Sequence, residues 1–441
     1  MKRVKNYVLK KAQEISGKYE FRDHLKFLNE AQYYSKEKIH KIQLNKLKKL
    51  VKKARNIKFY SNYFKEKNID PSDITSLDDL TLFPVMTKAI YRNHFPKNII
   101  NPKSAPKDLY LNSTSGSTGA PFKFYMSKKH RGYTAARVLS FYKWTGRDYN
   151  DPILRLWGAP NLDLKTKLFQ KVIENVTLID AFDLNQKNFE EHFGEIEGKD
   201  FSLLESYTSA AYEFAHLLKN NEKNLRIPSA ILSGETLYDY QLQLIEDRFN
   251  TEIYNRYGCR EFGAIAQECS EHKGLHITET DFIIEVVNDQ NEVLSEGEKG
   301  NIIVTCLDNY SMPFIRYQID DIGSLSKDIC PCGRELIKLE FIEGRVSDML
   351  YAPSGRHISL YYFALLFQGR SDYVHEFQVN QREDNLDIIL KLVTTPKYNQ
   401  KIEKEIISDI KEMDSSLKVE IENVNTIPRE PSGKKKYLKK I

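Results

Sequence analysis

Chemistry concentrates first in Ser113–Pro121, which reads Ser-Thr-Ser-Gly-Ser-Thr-Gly-Ala-Pro. Ser113, Thr114, Ser115, Ser117 and Thr118 crowd hydroxyls and amides into one turn. Gly116 and Gly119 open backbone conformations closed to other residues and let a ligand come close. So many donors with no bulky side chain over them suit a polyphosphate. The stretch lacks the Gly-Lys-Ser/Thr ending of a Walker A motif, so a kinase-type P-loop is not expected. Further on, Ser233-Gly234-Glu235 follows an apolar run, and Tyr254–Gly263 sets Tyr257 and Glu261 around a turn. An aromatic ring there suits stacking on a base, and a carboxylate suits a metal ion bridging phosphates. Arg316–Gly323 and Glu343–Asp348 each place carboxylate and guanidinium near a glycine, a pairing that suits ribose hydroxyls and phosphate. The tail Pro431-Ser432-Gly433-Lys434 presents an ammonium on a turn; the other reading of Lys434, Lys435, Lys436, Lys439 and Lys440 is a solvated basic end.

A second constellation is built on sulfur. Cys269, His272 and His276 precede Cys330-Pro331-Cys332, enough soft donors for a tetrahedral Zn²⁺ site. Four protein ligands would make it structural, without a catalytic water. Cys259 and Cys306 read as small buried side chains. Five cysteines in a long chain do not make a disulfide framework.

The elements that must position these residues follow from pattern. Residues 1–60 read as helical, with Leu47, Leu50, Val51 and Ala54 at helical spacing beneath a lysine face. A short apolar stretch, the glycine loop and Phe122–Met126 predict strand, loop, strand. Between 127 and 250, strands at Ile153–Trp157, Val176–Ile179 and Ala230–Leu232 alternate with helices at Ala210–Lys219 and Tyr238–Phe249. That alternation predicts an α/β sheet covered by helices, with ligands at the strand ends. Phe282–Val287 and Asn301–Leu307 predict a β-rich subdomain. After residue 346, a strand at Leu386–Val393, an amphipathic helix at Gln400–Met413 and a strand at Lys418–Val424 predict a compact α+β module. The division is thus 1–345 and 346–441.

Composition bounds the classes. Of 441 residues 41% are apolar and 29% charged, a globular profile. A net charge of +5 on 66 basic and 61 acidic groups argues against a dedicated nucleic-acid binder. No apolar run is long enough to span a bilayer, and no apolar h-region follows Met1–Lys11, so stable membrane insertion and a signal peptide are not expected. Cytoplasm is the expected location.

In their order, Thr114–Pro121, Tyr257–Glu261, Tyr317–Asp321, Gly344–Asp348 and Pro431–Lys434 resemble the adenylate-forming (acyl-CoA synthetase/adenylation-domain) superfamily over nearly the whole chain. Asn56–Phe64 with Phe83–Lys88, Tyr257–His276 and Cys330–Arg334 resemble its phenylacetate–CoA ligase-like branch, which includes capsule-biosynthesis ligases. The resemblance implies a large N-terminal domain with α/β sheets and a β-rich subdomain, and a small mobile C-terminal α+β lid. It implies attack of a carboxylate on the α-phosphorus of ATP, then acyl transfer from the adenylate to CoA, or to the amine or hydroxyl of a sugar or amino acid. A binder that kept the fold and lost catalysis is the other reading. Thr114, Ser115, Gly116, Ser117, Thr118 and Gly119 would hold the β/γ-phosphates; Ser233, Gly234, Glu235 and Tyr257 would form the nucleotide pocket. Glu261 would bind Mg²⁺, Asp321 the ribose with Arg345 alongside, and Lys434 would neutralise charge between carboxylate and α-phosphate. Val346–Asp348 would be the hinge, and Trp157–Pro160 with Ser206–Ala210 would read the substrate. The resemblance prefers His276 over His272 as fourth zinc ligand. Three departures stand out: Ala120-Pro121-Phe122 for a Lys-Pro-Lys ending, Arg260 for Thr or Ser, and Ile319-Asp320-Asp321 for Thr-Gly-Asp.

Overall fold

The computed structural model describes residues 19–114, 122–148, 150–158, 174–181, 184, 186–326, 328–345, 349–355, 357–367, 370, 372–430 and 435–441. The chain starts with helices α1 (Tyr19–Ala31), α2 (Lys36–Ala54), α3 (Lys58–Lys67) and α4 (Lys88–His94). Strands β1 (Leu109–Ser113) and β2 (Lys123–Ser127) and helix α5 (Lys128–Trp144) follow. Then come β3 (Ile153–Trp157), β4 (Val176–Asp180), α6 (Phe189–Ile196), β5 (Leu203–Tyr207), α7 (Thr208–Asn220), β6 (Ser229–Ser233) and α8 (Asp239–Phe249). A run of strands comes next: β7 (Glu252–Cys259), β8 (Gly263–Glu268), β9 (Leu275–Ile277), β10 (Phe282–Val287), β11 (Gly300–Cys306), β12 (Tyr317–Leu325) and β13 (Lys338–Arg345). The last part holds β14 (Met349–Tyr351), β15 (His357–Ser359), α9 (Leu360–Phe367), β16 (Val374–Gln381), β17 (Ile388–Thr394), α10 (Gln400–Met413), β18 (Val419–Asn423) and β19 (Leu438–Lys440).

The chain divides into two compact units, one of residues 1–151 with 254–342, the other of 152–253 with 343–441. In the first, strands run in the order β10-β11-β12-β13-β9-β8-β7, with antiparallel pairing at β10–β11, β11–β12, β13–β9, β9–β8 and β8–β7. Ile302, Val304, Phe314 and Tyr317 pack there against Leu47, Leu50, Val51 and Ala54 of the helical region. The stripe predicted from spacing is the buried face of α2, whose first turn is capped by the Ser35 hydroxyl; its lysines point outward or sit at the rim.

In the second unit, β6-β5-β3-β4 form a parallel sheet. Strands β5 and β6 are buried along their whole length, as central parallel strands covered on both faces are. The C-terminal part has its own four-stranded sheet, β18-β17-β16-β19, covered by α10. Ile402, Ile406 and Ile410 recur every fourth residue on α10, and Asn399 caps its start by accepting from the Lys401 and Ile402 amides. The core around that sheet takes Tyr238 alone from residues 152–253, among the described residues. No helix of the described residues is long and apolar enough to cross a membrane.

Candidate active site

Glu261 sits in the tight turn from β7 to β8, where Cys259 pairs with Gly263. A side chain at Gly258 would place its Cβ 2.1 Å from the Gly263 carbonyl, and Gly263 itself has φ +69°, so the turn needs glycine at both positions. The Glu261 side chain is buried and accepts a hydrogen bond from the Tyr317 hydroxyl at 2.7 Å. Burial, then the charge of Glu261, pushes the Tyr317 phenol well above its ordinary range, so it stays a donor. Four residues along β12, Asp321 accepts from the Tyr257 hydroxyl at 2.6 Å. One strand thus orients both the carboxylate assigned to the metal and the one assigned to the ribose.

Asp320 explains one sequence departure. Its φ is +71°, the left-handed region that favours glycine, at the place where the resemblance expects Gly. Its carboxylate is 2.5 Å from the Lys88 ammonium, and Met86 is bridged to Tyr317 two residues before. Segment Met86–Lys88 therefore fastens β12 beside the site. Asp320→Gly removes a half-exposed ion pair worth about 0–1 kcal/mol and relieves a backbone cost of about 1–2 kcal/mol. Urea unfolding is expected to show the variant neutral to about 2 kcal/mol more stable; a loss larger than about 1 kcal/mol would refute this account.

At the base of the glycine loop, the Thr114 amide donates to the Phe122 carbonyl at 3.0 Å and its Oγ1 accepts from the Phe122 amide at 3.2 Å. Arg260 leans on the same place, 3.4 Å from the Ser113 carbonyl and 3.3 Å from Asn112 Oδ1. Ser115, Gly116, Ser117, Thr118 and Gly119, the hinge Val346–Asp348, and Lys434 lie outside the described residues. Arg345 ends strand β13, its backbone alone being described.

Beneath the Glu261 turn lies a buried charge network that no sequence pattern announced. Arg137 on α5 donates to Asp281 and Asp308, both at 2.9 Å, and to the Phe262 carbonyl at 2.9 Å. His130 Nδ1 is 2.5 Å from Asp308 and its Nε2 is 3.4 Å from the Glu261 carbonyl. His24 and Lys46 complete the set on Asp281, at 2.7 and 3.0 Å. Burial raises both aspartates, but His24 and Lys46 around Asp281, and His130 and Arg137 around Asp308, outweigh it and hold both carboxyls below the usual range. The network grips the backbone that carries Glu261.

In the second unit, Ser233 ends β6 and Gly234-Glu235 follow it directly, Gly234 with φ +83°. The Glu235 carboxylate accepts from the Ser209 amide at 2.7 Å, the Ser209 hydroxyl at 3.0 Å and the Lys435 amide at 2.8 Å. A carboxylate on the first amides of α7 is favoured there by the helix dipole. Trp157 and Tyr207 stack with ring centroids 3.8 Å apart, bringing together the two segments assigned to substrate reading; Pro160 lies outside the described residues. Lys435 is not part of a solvated basic end: its side chain is 7% exposed and its ammonium lies 2.5 Å from Glu376 and 3.3 Å from Glu213.

Cys269, His276, Cys330 and Cys332 place their ligand atoms within 4.8 Å of one another. Cys269 and Cys330 sulfurs are 3.6 Å apart, near the roughly 3.8 Å edge of a tetrahedron with 2.3 Å zinc–sulfur bonds. His276 Nε2 faces the Cys332 sulfur at 3.4 Å, while Nδ1 is 3.3 Å from the Leu336 carbonyl, an outer contact that fixes ring and tautomer. Burial pushes the Cys269 thiol up to about 12 and the His276 imidazole down to about 4. Neutral imidazole is the ligating form, and a cation is what lets clustered buried thiols ionise. The donor set fits zinc. His272 instead lies exposed, 3.5 Å from Glu268.

A family model described as the CapK C-terminal domain matches residues 350–440. Phenylacetate-coenzyme A ligase of Thermus thermophilus is 25% identical over 386 residues, covering 85% of this chain and 85% of that protein. Protein CapK of Staphylococcus aureus is 24% identical over 393 residues, covering 87% of this chain and 85% of its own. The chain is a homologue of the phenylacetate-CoA ligases and CapK. Among solved structures, 2-hydroxyisobutyryl-CoA ligase in the postadenylation state with R3-HIB-AMP superposes with a TM-score of 0.78 at 17% identity, over 93% of this chain and 91% of that one. The homologue thus has the adenylate-forming ligase fold with its C-terminal domain, as the ordered motifs implied.

Proposed function

We propose that this adenylate-forming ligase activates a carboxylate with ATP and passes the acyl group to the thiol of CoA. The observation that carries the reading is β12, which holds Glu261 through Tyr317 and receives Tyr257 on Asp321. In the first step a carboxylate oxygen attacks the α-phosphorus and the bond to pyrophosphate breaks. In the second the thiol sulfur attacks the acyl carbon, AMP leaves with the bonding pair, and the thiol proton goes to solvent. Thr114–Gly119 would cradle the β/γ-phosphates, Asp321 would accept from the ribose with Arg345 alongside, and Tyr257 and Ser233–Glu235 would border the nucleotide. Lys434 would offset charge at the α-phosphate. A buried oxygen donor such as Glu261 fits Mg²⁺, which binds through one or two carboxylates plus substrate phosphates. When bound, the ion supplies neutralisation of phosphate charge. Preorganised donors aimed at that charge lower the barrier.

A second reading keeps the first step and changes the acceptor to an amine or hydroxyl, as in surface-polysaccharide assembly. The match of residues 350–440 to the CapK C-terminal domain favours it. A carboxylate panel assayed by pyrophosphate exchange, then with CoA, amines and sugars as acceptors, decides between the two. No exchange with any carboxylate, together with ATP binding, would leave a nucleotide binder instead.

We also propose one structural zinc on Cys269, His276, Cys330 and Cys332, clipping together chain segments distant in sequence. Protein purified without added metal is expected to carry about one zinc per chain. The double variant Cys330→Ser, Cys332→Ser should carry none and melt at lower temperature. Zinc retained by the double variant, or absent from the wild type, would refute the site.

A further inference from the structure

The C-terminal part meets residues 207–241 inside the second unit through polar contacts that the proposed reaction has not used. Arg429 donates to Glu213 on α7 and, at 3.0 Å, to the Ser209 hydroxyl. The Lys435 ammonium is 3.3 Å from the same Glu213 carboxylate, and the Lys435 amide donates to Glu235 at 2.8 Å. Arg429 and Lys435 side chains are both 7% exposed, so these are largely desolvated pairs rather than loose surface ones. Beside them lies a cavity of about 140 Å³ bordered by the polar Glu213, His216, His375 and Lys435 and by the apolar Leu217 and Phe377. His216 Nε2 and His375 Nδ1 are buried next to it without hydrogen-bond partners. Apolar continuity across the junction is small, since Tyr238 is the one described residue of 152–253 in the C-terminal core.

A junction held by charge over an unfilled space can be parted at modest cost, unlike one sealed by interlocked apolar side chains. Its position matters, because Glu235 belongs to the turn assigned to the nucleotide and Lys434 immediately precedes Lys435 in the chain.

We propose that Glu213 is a positioning residue: by seating Arg429 and Lys435 on α7, it holds the C-terminal part in the arrangement used for adenylate formation. This rests on the ligase reading above. Glu213 touches no reacting atom; it acts through the segment that carries Lys434.

The test uses the full chain and the variants Glu213→Gln, Arg429→Gln and both together. Amide hydrogen exchange across residues 435–441 is expected to speed up at least tenfold in Glu213→Gln, with no change across β7–β12. Pyrophosphate exchange with phenylacetate, or the best carboxylate of the panel, should lose roughly tenfold in kcat with the KM for ATP unchanged. Transfer to CoA from supplied phenylacetyl-AMP, or the corresponding adenylate, should keep the wild-type rate. The double variant should behave much like either single one, because the two side chains act as a pair. Unchanged amide protection in Glu213→Gln would overturn the seat. Equal losses in both half-reactions would overturn the positioning role in favour of a general structural one. A wild-type chain inactive with every carboxylate would sink the ligase reading and the adenylating role with it, while faster or unchanged amide exchange in Glu213→Gln would still uphold or overturn the seat independently.

Discussion

Arg137→Ala is expected to destabilise the chain by about 3–5 kcal/mol, the usual effect of removing one partner from a buried charge cluster. Arg137 is fully buried, and its guanidinium answers Asp281 and Asp308 together. Without it, two carboxylates are left in the interior with His24, Lys46 and His130, and the weakly donating Cys306 thiol on Asp308, to meet them. The Phe262 carbonyl also loses its donor, so the Glu261 turn loosens. The carboxyls are held below their ordinary range in the fold. Their contribution is therefore complete above about pH 4 and is lost as pH falls through the folded values. Arg137→Ala should accordingly flatten the acid limb of the stability profile as well as lower its plateau. Urea titrations of wild type and variant between neutral and acid pH measure both effects. A loss below 1 kcal/mol would show that the network is dispensable. Arg137→Lys should recover part of the stability, because it restores the charge without the fork that reaches Phe262.

That network also marks the limit of what local sequence patterns reveal. Such patterns sufficed for Ile153–Trp157, Phe282–Val287 and Gln400–Met413, each an observed element with the same bounds, because a short apolar run reports a strand buried along its length and period-3.6 spacing reports the buried face of a helix. Helix α5 defeats such a pattern. It buries His130, Arg137 and Ser140 alongside Ala136 and Phe141, so polarity does not mark its outer face. The partners that make this possible lie 144 and 171 residues away in sequence. Tyr317 is a similar case: in sequence it belongs to a motif beside Asp321, whereas its hydroxyl serves Glu261, 56 residues away. Asp320 is visible in sequence as a departure from Thr-Gly-Asp, but the positive φ and the Lys88 partner behind it emerge only in the fold. At the C-terminus, composition suggests a solvated run of lysines. Lys435 is instead pinned by Glu213, Glu235 and Glu376, from three separate elements or turns. A lysine's charge is legible in sequence; whether a carboxylate waits for it depends on long-range packing.

Lys434→Ala is expected to slow adenylate formation roughly 10²–10³-fold, or about 3–4 kcal/mol, the typical effect of deleting one preorganised contact to a charge that develops in the transition state. Its neighbour supplies the reason. The Lys435 amide is bonded to Glu235 in the turn after β6, and the Lys435 ammonium is committed to Glu213 and Glu376. The backbone at this point is therefore fixed beside residues assigned to the nucleotide, while the Lys435 side chain is already neutralised and unsuited to the α-phosphate. Lys434 is the adjacent ammonium. Transfer to the acceptor from a supplied acyl-adenylate involves no attack on phosphorus, so Lys434→Ala should retain most of that rate. Lys435→Ala is a poor control, because it breaks ion pairs within the seat. Lys439, partly exposed and 3.7 Å from Glu430, serves better. Single-turnover adenylate formation in Lys434→Ala and Lys439→Ala, beside the transfer rate of each, gives the decision. A fall confined to the first step and to Lys434→Ala is the expected result. Equal, near-normal adenylation in the two variants would remove Lys434 from the chemistry and leave the charge at the α-phosphate to be offset by other groups.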